Sequence, residues 1–118
     1  MAIKRLGTYK DPYVQPITED LDWWKKAEGS PTMRTWIEHT TDDEKFMTGF
    51  WEATPGSYRV KYDVDEFIFV FEGKFTLIPD EGEPQTFSAG DALLIEAGFD
   101  GIWKTEETVR KVLAIRAK

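Results

Sequence analysis

Cysteine is absent from the 118 residues, and histidine occurs once, at His39. Without cysteine the chain has no disulfide, no thiolate zinc site, no iron–sulfur cluster and no cysteine nucleophile. Catalytic iron and zinc are usually held by imidazole together with carboxylates, so a single histidine argues against such a centre. We therefore predict a protein with no metal site and no cofactor. The lack of cysteine is compatible with the cytoplasm, where we expect the protein to be located.

The chain also lacks a block of basic residues and a long hydrophobic run. Fifteen lysines and arginines stand against 22 acidic residues, and the net charge of −7 repels nucleic-acid phosphates and anionic lipids. The longest apolar run, residues 67–71, has five residues, whereas a membrane span needs about 20. No secretory signal is visible at the N-terminus. We expect a soluble protein that binds neither nucleic acid nor membranes.

The length of the chain predicts one domain, and its composition divides that domain into two parts. Residues 1–33 hold three of the six prolines and little periodicity, which predicts an irregular N-terminal arm packed on the barrel. Within this arm, residues 21–28 are predicted to form a short helix, with Asp20 as its N-cap and Gly29 after its end. Residues 34–118 are predicted to form the second part, the folded domain.

Short segments rich in aromatic and β-branched residues follow one another from Arg34 onward, separated by turn residues such as Pro55 and Gly56. This pattern is typical of an all-β sandwich or barrel. The strand that contains residues 67–71 lacks polar alternation, so we expect both its faces to be covered, one by the barrel interior and the other by a second sheet or another subunit. Nine strands are predicted, at residues 34–40, 45–53, 58–62, 66–71, 74–78, 85–87, 92–96, 101–105 and 109–116.

Two sets of spaced residues resemble the two motifs of the cupin superfamily. The first set begins at Pro55–Gly56 and closes with Glu66 and, after six further residues, Gly73. In the second set, Gly90 is followed by five residues and then by a segment that ends in Gly98. The family has Pro-x-Gly at the position of this segment. The chain is also similar to the short cupins of ethanolamine utilisation and to the cupin region of ureidoglycine aminohydrolase. The residues that match them are Trp51, Asp65, Gly101 and Trp103.

The resemblance implies an RmlC-like jelly roll, the double-stranded β-helix of the cupin barrel, over residues 34–118. It also implies a homodimer, because cupins of this branch commonly pair. The run at residues 67–71 agrees with a dimer, since it offers more apolar surface than one small barrel needs.

The histidines that hold a metal in many cupins have no counterpart in this chain. Counting from Glu66 or from Gly56 places their positions on other residue types, and the position in the second motif falls on Gly101. Only Glu66 remains of the metal shell. An oxygen-only site for Mg²⁺ or Ca²⁺ stays open as an alternative, built from Glu66, Asp63, Asp65 and Glu52, although the two aspartates are also typical of a turn.

The resemblance implies that the side chain of Glu66 enters the barrel. There it is a candidate general acid or base, with Tyr62 near enough to share a proton or hold a substrate oxygen. The alternative is a structural ion pair of Glu66 with Arg59 or Lys61 at the barrel mouth. His39 lies outside both motifs and is expected at the surface or at a strand end.

Trp51 and Trp103 flank the two motifs, and aromatic faces beside a few polar groups commonly hold sugars and planar amide or ureido groups. We predict that these tryptophans, together with Arg59, contact the ligand. The alternative for both tryptophans is packing in the core.

The leading hypothesis is a homodimeric, metal-independent cupin that binds a small polar metabolite, either a carbohydrate or a ureido or amino compound. If the protein is an enzyme, we expect lyase, isomerase or hydrolase chemistry, with Glu66 and Tyr62 as the catalytic residues. One alternative is a non-catalytic sensor or accessory cupin that inherited only the fold. Another alternative is a carboxylate-based metal enzyme.

Overall fold

The computed structural model describes residues 3–117, which contain eight β-strands and no helix. None of these residues therefore forms a helix that could cross a membrane. Met1 and Ala2 of the predicted arm, and Lys118 of the predicted domain, lie outside the described residues. The strands are β1 (Trp24–Glu28), β2 (Met33–Thr40), β3 (Phe46–Ala53), β4 (Gly56–Lys61), β5 (Asp65–Pro79), β6 (Gln85–Ser88), β7 (Ala92–Ile95) and β8 (Asp100–Arg116).

The strands form two antiparallel layers that share β5 and β8. The first layer has the order β1–β4–β8–β5–β6 and uses residues 100–105 of β8 and 75–79 of β5. The second layer has the order β2–β3–β8–β5–β7 and uses residues 109–116 of β8 and 65–70 of β5. Two long strands that pass from one layer into the other curl the sheet into a jelly-roll barrel. The predicted all-β jelly roll is confirmed.

The sequence predicted two separate strands at residues 66–71 and 74–78, but β5 runs through both as one strand. The register between β5 and β8 shifts on both sides of Glu72 and Lys74, so the strands bend here without breaking. Gly73 has a φ of 93°, and a Cβ atom added to it would lie 2.1 Å from the carbonyl oxygen of Thr108. Only glycine satisfies both conditions. The predicted strands 101–105 and 109–116 also form one strand, β8, because it remains paired with β5 through the bend.

The predicted helix at residues 21–28 is wrong, because residues 24–28 form β1. This segment pairs with the open edge of β4, opposing Trp24 to Val60, and the indole of Trp24 enters the core with 3% of its surface exposed. Burial of this large side chain and the hydrogen bonds to β4 outweigh a weak helical preference. Asp20 caps no helix; its carboxylate instead accepts hydrogen bonds from Lys26 and from the Tyr58 hydroxyl.

The first residues of the arm lie against the second layer. The buried carboxylate of Glu38, on β2, accepts hydrogen bonds from the backbone N–H groups of Gly7, Tyr13 and Val14. The ring of Tyr9 stacks on Phe71 with a centroid separation of 4.2 Å. The arm thus covers one end of the outer face of β5.

The run at residues 67–71 has one buried face and one that is partly open. Ile68 and Val70 point into the barrel and are completely buried. On the outer face, Tyr9 covers Phe71, whereas Phe67 remains 48% exposed beside Leu94, its neighbour on β7, which is 60% exposed. The homodimer remains a prediction.

Candidate functional site

Glu66 lies inside the barrel near the start of β5. Side chains alternate between the two faces of a strand, so Glu66 shares the inner face with Ile68 and Val70. Its backbone pairs with Ile95 on β7 and Ile115 on β8, which keeps the carboxylate among apolar residues. Only 2% of the residue is exposed.

Two side chains bind the Glu66 carboxylate. The hydroxyl of Tyr62 donates a hydrogen bond to Oε1 at 2.5 Å, and Nζ of Lys111 donates one to Oε2 at 2.9 Å. Lys111 exposes only 1% of its surface, so the pair is a salt bridge removed from water. A buried charge needs such a partner, because an unpaired one costs several kcal/mol.

The ammonium group of Lys111 is surrounded by indole rings. Its Nζ atom lies 4.3 Å from the ring centre of Trp51, 4.5 Å from that of Trp103 and 5.8 Å from that of Trp24. The negative faces of these rings attract the cation. Burial nevertheless lowers the pKa of Lys111, and the charge of Glu66 opposes this effect only in part.

Burial also raises the pKa of Tyr62 well above 10, and the adjacent Glu66 charge adds to this shift. Tyr62 is therefore a neutral phenol that donates its proton toward the carboxylate. The ring of Tyr62 is held between Trp23, at 4.8 Å, and Phe99, at 5.9 Å, both in edge-on contacts. Glu66 thus links a phenol and an ammonium group in one hydrogen-bonded chain.

A cavity of about 90 Å³ lies beside the salt bridge. Two polar atoms of its lining residues, Nε1 of Trp24 and Oγ1 of Thr35, are buried and have no hydrogen-bond partner anywhere in residues 3–117. Both residues are 3% exposed. The lining consists of Leu21, Trp23, Trp24, Thr35, Ile37, Met47, Trp51, Glu66, Lys111, Leu113 and Ile115.

The volume of the cavity limits what it can hold. An apolar cavity of about 150 Å³ accepts benzene, and a water molecule takes about 30 Å³ of liquid. A space of 90 Å³ therefore holds about three waters or an organic molecule of a few non-hydrogen atoms. A monosaccharide has more atoms than benzene and does not fit the cavity in this conformation.

The other residues predicted for the site lie in different places. Trp103 is completely buried and stacks on Phe75 at 4.0 Å, so it supports the pair from behind without lining the cavity. Arg59 is on the surface, where it binds the carboxylates of Asp80 and Asp100. The salt-bridge partner of Glu66 is Lys111, in place of the predicted Arg59 or Lys61.

The residues at the cavity do not fit a metal ion. Among residues 3–117, no three histidine, cysteine or acidic side chains come together as a ligand set. Asp65 binds Arg116, and Glu52 binds Arg34 and Arg110, so these carboxylates do not converge on Glu66. The ammonium of Lys111 also occupies the place beside Glu66 where a cation would bind and would repel it.

Sequence reasoning missed Lys111, although a signal for it exists. Positions 109, 111, 113 and 115 alternate along β8 and hold Val109, Lys111, Leu113 and Ile115, all of which are buried. A lysine in an otherwise apolar inward row requires a buried partner. The alternation along β8 is therefore the pattern that marks Lys111 as a buried lysine.

Comparison with known proteins identifies the family to which the chain belongs. The EutQ-like cupin domain matches residues 40–113, which is more than half of the chain. The protein therefore belongs to the EutQ-like cupin domain family, as the motif resemblance implied. A search of curated proteins finds no match to the chain.

Solved structures support the same fold. The chain is similar to EutQ of Clostridium difficile, with 20% identity and a TM-score of 0.65 over 74% of this chain and 64% of that one. It is also similar to a DUF861-family protein of unknown function from Pseudomonas syringae, with 20% identity and a TM-score of 0.74 over 87% and 45% of the two chains. The chain thus spans less than two thirds of either protein.

Other structural neighbours differ in function. The polyketide cyclase RemF of Streptomyces resistomycificus has 19% identity and a TM-score of 0.64 over 98% of this chain and 80% of its own. At these identities the likeness establishes the fold alone, because one fold carries many activities. The function has to be argued from the site.

Proposed function

We propose that this cupin binds a small polar organic molecule in the cavity beside Lys111. The observation that supports this most directly is that Nε1 of Trp24 and Oγ1 of Thr35, on lining residues of that cavity, have no hydrogen-bond partner among the described residues. A buried polar atom without a partner costs about 1–3 kcal/mol. A ligand that accepts a hydrogen bond from the indole and exchanges one with the hydroxyl removes both costs.

The electrostatics of the cavity favour a neutral or zwitterionic ligand. Glu66 and Lys111 neutralise each other at 2.9 Å, so the cavity has a strong dipole and no net charge. An amide or ureido group suits such a dipole, because it carries both a carbonyl acceptor and N–H donors. Of the predicted ligand classes, the ureido and amino compounds therefore suit the cavity better than a carbohydrate does.

The affinity of so small a ligand is limited. At about 1.5 kcal/mol for each non-hydrogen atom, a four-atom molecule gains about 6 kcal/mol at best, equivalent to a Kd of roughly 40 µM. Binding tests consequently need millimolar ligand concentrations.

A second candidate function is acid–base catalysis on the bound molecule. The chain Tyr62–Glu66–Lys111 favours it, since the carboxylate lies within hydrogen-bond reach of two proton donors. In this role the Glu66 carboxylate exchanges a proton with the bound molecule. The phenol of Tyr62 keeps its own proton and donates a hydrogen bond to Glu66, and Lys111 stabilises the charged carboxylate. A sensor or accessory cupin would use the same cavity without product formation.

The test is a thermal shift with acetamide, a four-atom amide, on the wild type and on Thr35→Val. We expect acetamide to raise the Tm of the wild type, because a ligand that binds only the folded state stabilises it. The Thr35→Val variant should be more stable than the wild type without ligand and should lose most of the acetamide effect. The expected gain arises because valine removes a buried hydroxyl that has no partner.

The matched control is Thr105→Val. Thr105 is 2% exposed, as deeply buried as Thr35, but its Oγ1 accepts a hydrogen bond from Nε1 of Trp103 at 3.1 Å. This variant should lose stability and keep the acetamide effect. An acetamide shift that is absent from the wild type, or equal in wild type and Thr35→Val, would contradict the proposal.

A further inference from the structure

We propose that Lys111 is a covalent attachment point for a small aldehyde or ketone, with which it forms an imine inside the barrel. This inference rests on the proposed function, because the carbonyl compound occupies the same cavity. It adds a chemical class of ligand and a reaction of Lys111.

The amine of Lys111 lies beside the cavity and is shielded from bulk water. Lys111 and Glu66 both line the cavity, so a bound carbonyl compound lies next to the amine and to a carboxylate. Trp51 and Trp24 also line the cavity and exclude the bulk water that hydrolyses an imine. The unpartnered Oγ1 of Thr35 and Nε1 of Trp24 belong to residues that line the same cavity.

The burial of Lys111 favours the neutral, reactive form of its amine. Only a neutral amine attacks a carbonyl carbon, and lysines become nucleophiles when an apolar site removes them from water. Burial of Lys111 lowers its pKa in this direction. Glu66, at 2.9 Å from Nζ, is positioned to take the proton.

The reaction balances without any further reagent. The Lys111 ammonium gives a proton to the Glu66 carboxylate, and the free amine attacks the carbonyl carbon. The carbonyl oxygen takes the proton back from Glu66 and becomes the hydroxyl of a carbinolamine. That hydroxyl leaves as water with a proton from the nitrogen, relayed by Glu66, while the C=N bond forms. The product is a protonated imine, so the positive charge beside Glu66 is conserved.

The size of the cavity selects the carbonyl compound. Its volume of about 90 Å³ admits an aldehyde of a few non-hydrogen atoms, such as glycolaldehyde. Benzaldehyde contains the whole ring of benzene, which needs a cavity of about 150 Å³, and is excluded.

The test is trapping with glycolaldehyde and sodium cyanoborohydride, followed by peptide mapping of the modified lysines. Exposure alone predicts that Lys111, at 1% exposed, reacts last and that exposed lysines such as Lys25 and Lys61 react first. We expect the opposite order at low glycolaldehyde, with a hydroxyethyl group on Lys111 before the exposed lysines are modified. Modification of the exposed lysines with Lys111 left intact would overturn the proposal.

Two controls separate recognition by the cavity from local unfolding. Benzaldehyde should label the exposed lysines and leave Lys111 intact; equal labelling of Lys111 by both aldehydes would mean that the lysine reacts only when the barrel opens, which also overturns the proposal. Thr35→Val keeps the lysine and should slow its labelling by glycolaldehyde, while the labelling of Lys25 stays unchanged.

A third measurement separates this inference from the proposed function. Ethylene glycol has as many non-hydrogen atoms as glycolaldehyde and no carbonyl group, and acetamide has a carbonyl that forms no imine under these conditions. If either raises the Tm while glycolaldehyde leaves Lys111 unmodified, the cavity binds small polar molecules and the imine chemistry is wrong. If neither raises the Tm but Lys111 is trapped, the binding proposal is wrong for amides and holds only for aldehydes and ketones.

Discussion

Nζ of Lys111 lies 2.9 Å from Oε2 of Glu66, and the two side chains expose 1% and 2% of their surfaces. Each charge is therefore removed from bulk water, and its opposite charge lies within hydrogen-bond distance. This relationship predicts that the two residues depend on each other for stability.

The first prediction concerns a double-mutant cycle on this pair. Lys111→Met should lower the free energy of unfolding by about 3–5 kcal/mol, because it leaves the Glu66 charge buried without its partner. The double variant Glu66→Gln/Lys111→Met should lose less than the two single variants together, with a coupling of about 1 kcal/mol or more. Urea denaturation of the four proteins measures this, and additive losses would contradict it. Arg59→Met, which removes an exposed ion pair with Asp80, should change stability little.

The second prediction is a loss of stability at alkaline pH that depends on Tyr62. Burial and Glu66 raise the pKa of Tyr62 in the folded state above the value of 10.0 expected for an unfolded tyrosine. Below pH 10 the residue is protonated in both states and contributes no pH dependence. Above pH 10 the unfolded chain loses the proton first, so the free energy of unfolding falls. Tyr62→Phe should make this fall shallower in denaturation series from pH 8 to 11; an unchanged slope would contradict the shift.

The third prediction compares two glycines with nearly the same backbone conformation. Gly73 has a φ of 93° and Gly90 a φ of 94°. A Cβ atom at Gly73 would meet the Thr108 carbonyl oxygen at 2.1 Å, whereas one at Gly90 would meet no atom of residues 3–117 within 4 Å beyond its own chain neighbours. Gly90→Ala should cost about 1–2 kcal/mol for the left-handed backbone alone. Gly73→Ala should cost clearly more, because it forces β5 and β8 apart at their bend. Equal losses in chemical denaturation would show that the bend tolerates a side chain.

The fourth prediction concerns the exposed apolar pair on β5 and β7. Phe67 and Leu94 oppose each other in register and are 48% and 60% exposed. If the expected homodimer forms through this face, Phe67→Glu should shift the protein to a monomer in analytical ultracentrifugation, because the substitution buries a charge at the contact. Phe46→Glu, at another 43% exposed site, serves as the control and should leave the dimer intact. A monomeric wild type, or a dimer that Phe67→Glu leaves unchanged, would contradict this prediction.

Much of the fold could be predicted from the sequence because its signals are local. Turn residues and aromatic or β-branched runs located most of β2 to β8, and the motif spacing placed Glu66 inside the barrel next to Tyr62. The strand β1 could not be predicted in this way, since the partner that stabilises it, the edge of β4, lies about 30 residues away in the chain.

The candidate site was only partly predictable. Motif spacing identified Glu66 and Tyr62, but Lys111 reaches Glu66 from 45 residues further along the chain. Trp103 packs behind the salt bridge and does not line the cavity. This position depends on how the barrel curls, which no local sequence pattern indicates. The unpartnered atoms of Trp24 and Thr35 are visible only when every buried donor and acceptor is paired in three dimensions.

A high-resolution crystal structure of the protein soaked in acetamide tests ligand binding in the cavity most directly. We expect density for one acetamide molecule in the cavity, hydrogen-bonded to Nε1 of Trp24 and Oγ1 of Thr35, with the salt bridge between Lys111 and Glu66 retained. A cavity closed by its apolar side chains at saturating acetamide, or a metal ion bound to Glu66 with Lys111 displaced, would contradict it.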